Sequence, residues 1–185
     1  MLASKHLAFV YPIRTEEEIR ELLDALRKAH HQANHVCYAW RLGWDMGRYR
    51  SSDDGEPSGT AGKPILGQIQ SFELTNVLVA VVRYFGGTRL GTGGLIDAYR
   101  TAARMAIEAN DIEERQVRDH YLLLFPYEKM PVVMKLVKDG EMEKVRTDFQ
   151  SQCELEVLVN TRWTDALKTL AEDHPNVVVR FLGRS

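Results

Sequence analysis

The feature that most constrains the fold is an uninterrupted apolar run, Val77-Leu78-Val79-Ala80-Val81-Val82. Six consecutive apolar residues, four of them valine, are typical of a β-strand that is buried on both faces. The run is far shorter than the ~20 apolar residues that a membrane helix needs. It therefore predicts a buried strand over residues 76–84 inside a protein core, and no membrane partner.

Periodic patterns predict further elements before and after this strand. Thr15-Glu16-Glu17-Glu18 forms a capping box, which predicts a helix that continues to about His30. The other predicted elements are strands at 7–11 and 35–41, a short helix from Pro64, and an alanine-rich helix at 95–110 with Leu95, Tyr99 and Met105 on its packing side. Residues 43–63 show little periodicity and predict a long loop whose front, through Arg50, is mobile.

The second half of the chain has a different organisation. Residues 111–118 form a charged connector, where we place a domain boundary. The elements predicted after it are strand 120–125, helix 127–138, strands 143–149 and 154–160, helix 163–172 and strand 176–181. This order, βαββαβ, is the ferredoxin-like arrangement. The sequence thus predicts an α+β fold with two domains, at residues 1–114 and 118–185.

Composition limits the classes of partner. The chain has 24 basic and 26 acidic residues, a net charge of −2 and a pI near 6.3, so no global basic field attracts nucleic acid. The apolar stretch near the N-terminus, residues 7–13, is too short for a signal peptide. Cys37 and Cys153 match no metal or redox spacing and are expected to be free thiols in a reducing cytoplasm.

The first segment with candidate chemistry is the loop at residues 51–63. Its carboxylates Asp53, Asp54 and Glu56 fall within four positions, and its three glycines expose backbone amides. Lys63 then opens a helix, whose unpaired amides favour an anion. The pattern favours a recognition loop. The alternative is a well-ordered turn in which the acids cap neighbouring amides.

The second segment joins the buried strand to the next helix. Arg83 and Tyr84 end the strand, and Arg89 lies in a turn with five glycines, Gly86, Gly87, Gly91, Gly93 and Gly94. A strand, glycine turn and helix in this order can cradle a phosphate. No lysine follows Gly91, and Ile96 stands where the dinucleotide motif needs its third glycine, so no nucleotide cofactor is predicted. The alternative is that the glycines serve only close helix–sheet packing.

The third segment contains His31, His35 and Cys37. The two histidines are four positions apart, but the residues between them lead out of the helix, and Gln32 replaces the acid of the zinc-protease motif. We therefore predict no metal site. Cys37 is predicted to be a buried thiol rather than a nucleophile. Four aromatic residues are able to stack on bases, of which Tyr38 and Trp40 are expected in the core, while Trp44 and Tyr49 lie in the loop.

Three of these stretches together resemble the YigZ/Impact family. They are ANHVCYAWR at 33–41, SDDGEPSGTAGKP at 52–64 and VRYFGGTRLGTGGL at 82–95. The resemblance implies a first domain similar to ribosomal-protein and elongation-factor-G domain IV folds, and a second similar to elongation-factor domain V. It also implies a role in translation control, and it carries no catalytic residue.

The function predicted is binding rather than catalysis. The expected partners are RNA, the ribosome or a ribosome-bound protein. The loop at residues 51–63 and the glycine turn that follows Arg83, here called the first and second glycine segments, are expected to converge beside arginine in one exposed pocket that favours anions. The predicted site comprises His35, Arg41, Asp53, Asp54, Glu56, Lys63, Arg83, Tyr84, Gly86, Gly87, Arg89, Gly91, Gly93 and Gly94. Two alternatives stay open: a hydrolase that uses a cleft of His35 and the carboxylates, and a pure protein-interaction module.

Overall fold

The computed structural model describes residues 4–87, 90–149 and 152–184. The chain divides into two compact units, Met1–Ile112 and Glu113–Ser185. In the described ranges each unit contains one four-stranded antiparallel sheet with helices packed against it, which confirms the predicted two-domain α+β fold. Within the described ranges, no helix is both long and apolar enough to cross a membrane.

Over its described residues, 4–87 and 90–112, the first unit has four strands and three helices. The strands are β1 (Lys5–Pro12), β2 (His35–Leu42), β3 (Arg48–Ser52) and β4 (Val77–Tyr84), and the helices are α1 (Glu16–Ala29), α2 (Gly62–Ser71) and α3 (Gly91–Glu108). The strand order in the sheet is β1-β4-β2-β3, and each neighbouring pair is antiparallel. Strands β1 and β3 are therefore the two edges of this sheet.

Strand β4 is buried on both faces, as its apolar run predicts. Val77, Val79 and Val81 face α2 and α3, while alternate residues of the strand face α1. Helix α1 starts at the predicted capping box, where the Glu18 amide donates to Thr15 Oγ1 at 3.2 Å. The central strand thus lies between two separate layers of helix.

Two expectations for the first unit were wrong. The predicted mobile loop front contains β3, an edge strand held by backbone pairing with β2. Its side chains at 48–50 are exposed, so no hydrophobic alternation revealed it. Helix α3 begins at Gly91, four residues before its predicted start at Leu95. Met105, which was predicted on the packing side, is 64% exposed, because the buried stripe of the helix runs through Ala103 and Ile107 instead.

The second unit has the predicted βαββαβ order. Its elements are β5 (Arg118–Phe125), α4 (Met130–Asp139), β6 (Glu143–Phe149), β7 (Cys153–Asn160), α5 (Thr164–Asp173) and β8 (Val178–Arg184), with a single 3₁₀ turn before each helix. The sheet order β6-β7-β5-β8 is antiparallel throughout, as in ferredoxin-like folds. The predicted helix at 127–138 is divided between the 3₁₀ turn and α4.

Candidate functional site

Strand pairing brings three charged or polar side chains together at one end of the first sheet. Arg83 on β4 is directly opposite His6 on β1 and directly opposite His35 on β2. Alternate residues of these strands, such as Val81 and Cys37, lie in the core beneath α2 and α3. Because side chains alternate between sheet faces, His6, His35 and Arg83 also point to that side. The sheet end therefore carries a row of polar groups where an apolar core would otherwise continue.

Arg83 is buried and paired with a carboxylate from the first glycine segment. Its Nη1 donates to Glu56 Oε1 at 2.6 Å, and the two residues are only 5% and 8% exposed. The hydroxyl of Tyr99, which is fully buried on α3, donates to the same Oε1 at 2.7 Å. A buried ion pair of this kind depends on such additional hydrogen bonds. Arg83 therefore forms a buried ion pair with Glu56, whereas the sequence predicts an exposed arginine at this position.

Cys37 lies beneath this ion pair. Its sulfur is 2.9 Å from the carbonyl oxygen of Asp53 and 3.3 Å from the Tyr99 hydroxyl. Burial raises the pKa of the Cys37 thiol to about 12, and burial also raises the pKa of Tyr99. Both groups are protonated at neutral pH, so Cys37 fills the role of a buried hydrogen-bonded thiol and not that of a nucleophile.

Two of the acids in the first glycine segment bind backbone amides. Asp53 accepts from the amides of Gly59, Ala61 and Gly62 at 2.8, 3.0 and 2.8 Å. Partial burial works to raise the pKa of Asp53, but these three amide hydrogen bonds outweigh it and hold that pKa below its ordinary value. Asp54 accepts from the Val36 amide at 2.7 Å. These contacts match the alternative interpretation of the loop, in which its acids cap neighbouring amides.

The turn that Asp53 caps lets α2 approach β3 very closely. A Cβ built on Gly62 would lie 2.7 Å from the backbone nitrogen of Ser52, and backbone cannot move aside as a flexible side chain can. We expect Gly62→Ala to lower the free energy of unfolding by about 2 kcal/mol through this overlap. Urea denaturation measures the change.

Helix α2 supplies a matched control for that substitution. A Cβ at Gly67 would meet no atom of the described residues within 4 Å, so Gly67→Ala is expected to stabilise the helix by about 0.5–1 kcal/mol. If both substitutions shift the unfolding midpoint in the same direction, the close approach at Gly62 is not what requires glycine there.

The second glycine segment begins directly after Arg83 and ends in α3. The Gly86 amide donates to Ser4 Oγ at 3.3 Å, and Phe85 and Leu90 are 46% and 41% exposed. Helix α3 then opens with the exposed residues 91–93, and its N-cap residue Leu90 has no side-chain oxygen to cap the first amides. Amides at an uncapped helix N-terminus favour an anion or an acceptor group. Arg89 lies outside the described residues.

The remaining predicted residues are not all at this end of the sheet. Arg41 is opposite Val77, six positions along β2 from His35 and so roughly 20 Å away. Lys63 is exposed at the start of α2. Tyr84 is half-buried, and its hydroxyl is 2.8 Å from His30 Nδ1. Arg41 therefore belongs to a separate region of the first unit.

Sequence reasoning missed three residues that complete the polar cluster. His6 packs edge-on against Tyr99 with ring centroids 5.2 Å apart, and Ser4 Oγ is 3.3 Å from Arg83 Nη2. Burial, followed by the charge of Arg83, lowers the pKa of His6. A polar residue at an inward position of β1, two before Ala8, was the available signal. Tyr99 was predicted only as a packing residue.

The histidine and carboxylate of the hydrolase alternative do not form a hydrogen bond. His35 Nε2 is 3.8 Å from Glu56 Oε1, and His35 Nδ1 instead contacts the carbonyl oxygen of Asp54 at 2.7 Å. Among the residues described, no group of three His, Cys, Asp or Glu side chains is placed to hold a metal ion. The geometry thus indicates that His35 and Glu56 stabilise the local structure and do not work as an acid–base pair.

Comparisons with known proteins agree with the resemblance in sequence. The model of the Impact N-terminal domain matches residues 2–107. The Escherichia coli IMPACT family member YigZ is 33% identical over 137 residues, which cover 73% of this chain and 67% of that protein. A solved crystal structure of a hypothetical protein is 27% identical in sequence to this chain, with a TM-score of 0.68. The match covers 99% of this chain and 90% of that protein.

A second solved structure is that of Yih1, described as a two-domain translational regulator. It is 32% identical over 56% of this chain and 43% of its own, with a TM-score of 0.37. The family model alone spans more than half of the chain, and YigZ exceeds 30% identity over two thirds of its length. The chain described here therefore belongs to the Impact family.

Proposed function

We propose that this protein is a translation-associated regulator that acts by binding, through a surface formed by its two glycine segments. We call this the glycine surface, and it consists of Gly55, Pro57, Ser58, Phe85, Gly87 and residues 90–93, all of them exposed. A role in translation control is what the family resemblance implies. Yih1, which is similar in sequence over part of this chain, is likewise described as a translational regulator.

The observation that supports the proposal is the buried contact of Arg83 with Glu56. Glu56 belongs to the first glycine segment, and Arg83 directly precedes the second. Tyr99 on α3 donates to the same carboxylate, so one buried network ties both segments and the helix that follows them. A rigid base of this kind preorganises the loops above it, which lowers the entropy lost on binding.

The chemistry of the glycine surface suits a partner that offers hydrogen-bond acceptors and a small apolar area. The amides that open α3 receive no cap from the side chain of Leu90, its N-cap residue, and glycines let a partner approach the backbone closely. Phe85 and Leu90 add exposed apolar side chains. Arg83 is shielded beneath these groups, so we assign the direct contacts to the amides and apolar side chains. A ribosome or a protein bound to it fits this combination, and RNA alone is one outcome of the test.

Leu90→Asp tests the proposal, because a carboxylate at this position occupies the first amides of α3 and satisfies the helix dipole. We expect the folding stability to be unchanged or raised, and association with ribosomes to fall about tenfold, the effect of losing roughly 1.4 kcal/mol. Cosedimentation of the full chain with ribosomes at low salt measures association.

Met105→Asp is the matched control, since it introduces the same charge at an exposed position on the same helix, away from its N-terminus. It should leave cosedimentation unchanged. If the wild-type chain does not cosediment with ribosomes, or if both variants reduce the association equally, the proposal is wrong. If free RNA competes for the Leu90-dependent association, the partner is RNA.

A further inference from the structure

The hairpin of β2 and β3 carries an unusual combination of side chains at the edge of the first sheet. Residues 41–50 include three arginines and two large aromatic residues against one acid, Asp45. Tyr49 and Trp44 are 56% and 47% exposed. Exposed aromatic rings set among arginines are the combination that single-stranded nucleic-acid sites use, the rings to stack on bases and the arginines to contact the backbone.

Arg41 and Tyr49 form a cross-strand pair on one face of this hairpin. They are direct partners in the register of β2 and β3, which places their Cβ atoms about 5 Å apart. Arg41 Nε donates to the carbonyl oxygen of Met46 at 3.1 Å, so the guanidinium is oriented by its own turn. The phenol ring of Tyr49 offers a flat surface on which a base can stack, and the guanidinium of Arg41 beside it offers a charge for the neighbouring phosphate.

The neighbouring residues leave this pair accessible. Helix α2 contacts the other end of β3, where Gly62 abuts the backbone of Ser52. Strand β3 is an edge of the sheet. On the opposite face of the hairpin, Arg48 is paired with Glu16 at 2.6 Å, while Arg50 is exposed. A strand of phosphates that follows this edge passes Arg50 while a base reaches Tyr49.

We propose that the β2–β3 hairpin is a binding site for single-stranded nucleic acid. In this site Tyr49 stacks on a base, and Arg41 and Arg50 contact the phosphates that flank it. An apolar partner is disfavoured because residues 41–50 carry a net charge of +2, which stays positive at +1 after Glu16 offsets Arg48, whereas a polyanion gains from both the charge and the rings. A duplex is disfavoured because its bases are already stacked and their faces are closed to Tyr49.

The site is independent of the glycine surface. It lies at the other end of the sheet, roughly 20 Å away by the position of Arg41 along β2. It also shares no side chain with the buried network of Arg83. Loss of function at one surface is therefore distinguishable from loss at the other.

Fluorescence anisotropy with a labelled oligouridine of about 12 nucleotides tests the site, a length within the range that one such surface covers. We expect binding of the full chain at low salt. Tyr49→Ala is expected to raise Kd about tenfold, while Tyr49→Phe, which keeps the ring, changes Kd by less than about twofold. Arg41→Gln with Arg50→Gln is expected to raise Kd by about tenfold or more and to reduce the salt slope by about 1.4, the value for two phosphate contacts on a single strand.

Matched controls are available elsewhere in the chain. Arg100→Gln with Arg104→Gln removes the same charge from exposed positions on α3, and Tyr127→Ala removes a ring that is 71% exposed in the second unit. Neither control, nor Leu90→Asp, should change Kd for the oligonucleotide. Absence of binding, equal affinity for a duplex of the same length, or equal losses from Tyr49→Ala and Tyr127→Ala would each overturn the proposal.

Discussion

Arg83→Met is expected to lower the free energy of unfolding of the first unit by about 3–5 kcal/mol. The substitution leaves the Glu56 carboxylate buried, with the Tyr99 hydroxyl as its one remaining contact within 3 Å among the described residues. Taking a carboxylate out of water is costly unless a charge and hydrogen bonds compensate for it. Methionine keeps much of the side-chain volume, so the loss reports the ion pair and not a cavity.

Urea denaturation followed by tryptophan fluorescence measures this loss. Trp40 and Trp44 lie in the first unit and Trp163 in the second, so a Trp163→Phe background restricts the signal to the first unit. Both the reference and the variant carry that background substitution. The denaturant slope is expected to stay the same, because a change in slope indicates a change in the folded or unfolded state itself.

A double variant separates the ion pair from the packing around it. Arg83→Met with Glu56→Gln removes both charges, and replacement of both partners of a buried ion pair is often close to neutral. We expect the double variant to be more stable than Arg83→Met alone, which is the signature of a coupled pair. A loss below about 1 kcal/mol in the single variant, or additive losses in the double variant, would show that Arg83 and Glu56 do not support each other.

Asp119→Asn is expected to destabilise the second unit by about 3 kcal/mol at neutral pH. Asp119 on β5 is 1% exposed. It accepts two hydrogen bonds from the Arg184 guanidinium on β8, one of them at 3.0 Å, and a third from Thr164 Oγ1 at 2.9 Å. The carboxylate on the inner strand β5 therefore binds both β8 and the start of α5.

The stabilisation by Asp119 depends on pH in a defined direction. The hydrogen bonds from Arg184 hold the pKa of Asp119 below its ordinary value, against the opposing effect of burial. A carboxyl with a lowered pKa in the folded state stabilises the fold above its unfolded pKa of about 3.9 and loses that effect as pH falls through the lowered value. Wild type and Asp119→Asn should therefore differ most at neutral pH and converge well below pH 4.

Far-UV circular dichroism in urea at neutral and acidic pH checks this convergence. Asp165→Asn is the control, because Asp165 is a 91% exposed acid on α5 that pairs with Lys168; exposed pairs contribute about 0–1 kcal/mol. A gap between wild type and Asp119→Asn that stays constant down to acidic pH would contradict the role assigned to the Asp119 charge.

The helices and central strands were predictable from sequence because their signals are local. The apolar run of β4 predicts burial on both faces, and the Thr15 capping box places the start of α1 correctly. The βαββαβ order of the second half likewise follows from periodicity. Edge strand β3 was missed because its exposed, arginine-rich residues show no apolar alternation.

The candidate site was predictable only as a set of residues. The two glycine segments stand out in the sequence, and His35, Glu56 and Arg83 were selected from it. Their contacts depend on the pairing of β2 and β4 and on the turn that returns Glu56 to Arg83 across 27 positions. A local sequence pattern contains no information on contacts between residues so far apart in the chain. The burial of Arg83 and the hydrogen bond from Tyr99 to Glu56 could therefore not be predicted.

The sequence by itself determined the family, the two α+β halves and which segments are rich in glycine and charge, because composition and periodicity are properties of neighbouring residues. Tertiary structure decided which charges are buried and which are exposed. Strand register joins His6, Arg83 and His35 at one end of the sheet and sets Arg41 beside Tyr49 at the other. Register depends on hydrogen bonds between strands that are distant in sequence. It therefore decides that Arg83 lies in a buried polar cluster while Tyr49 lies on an accessible surface.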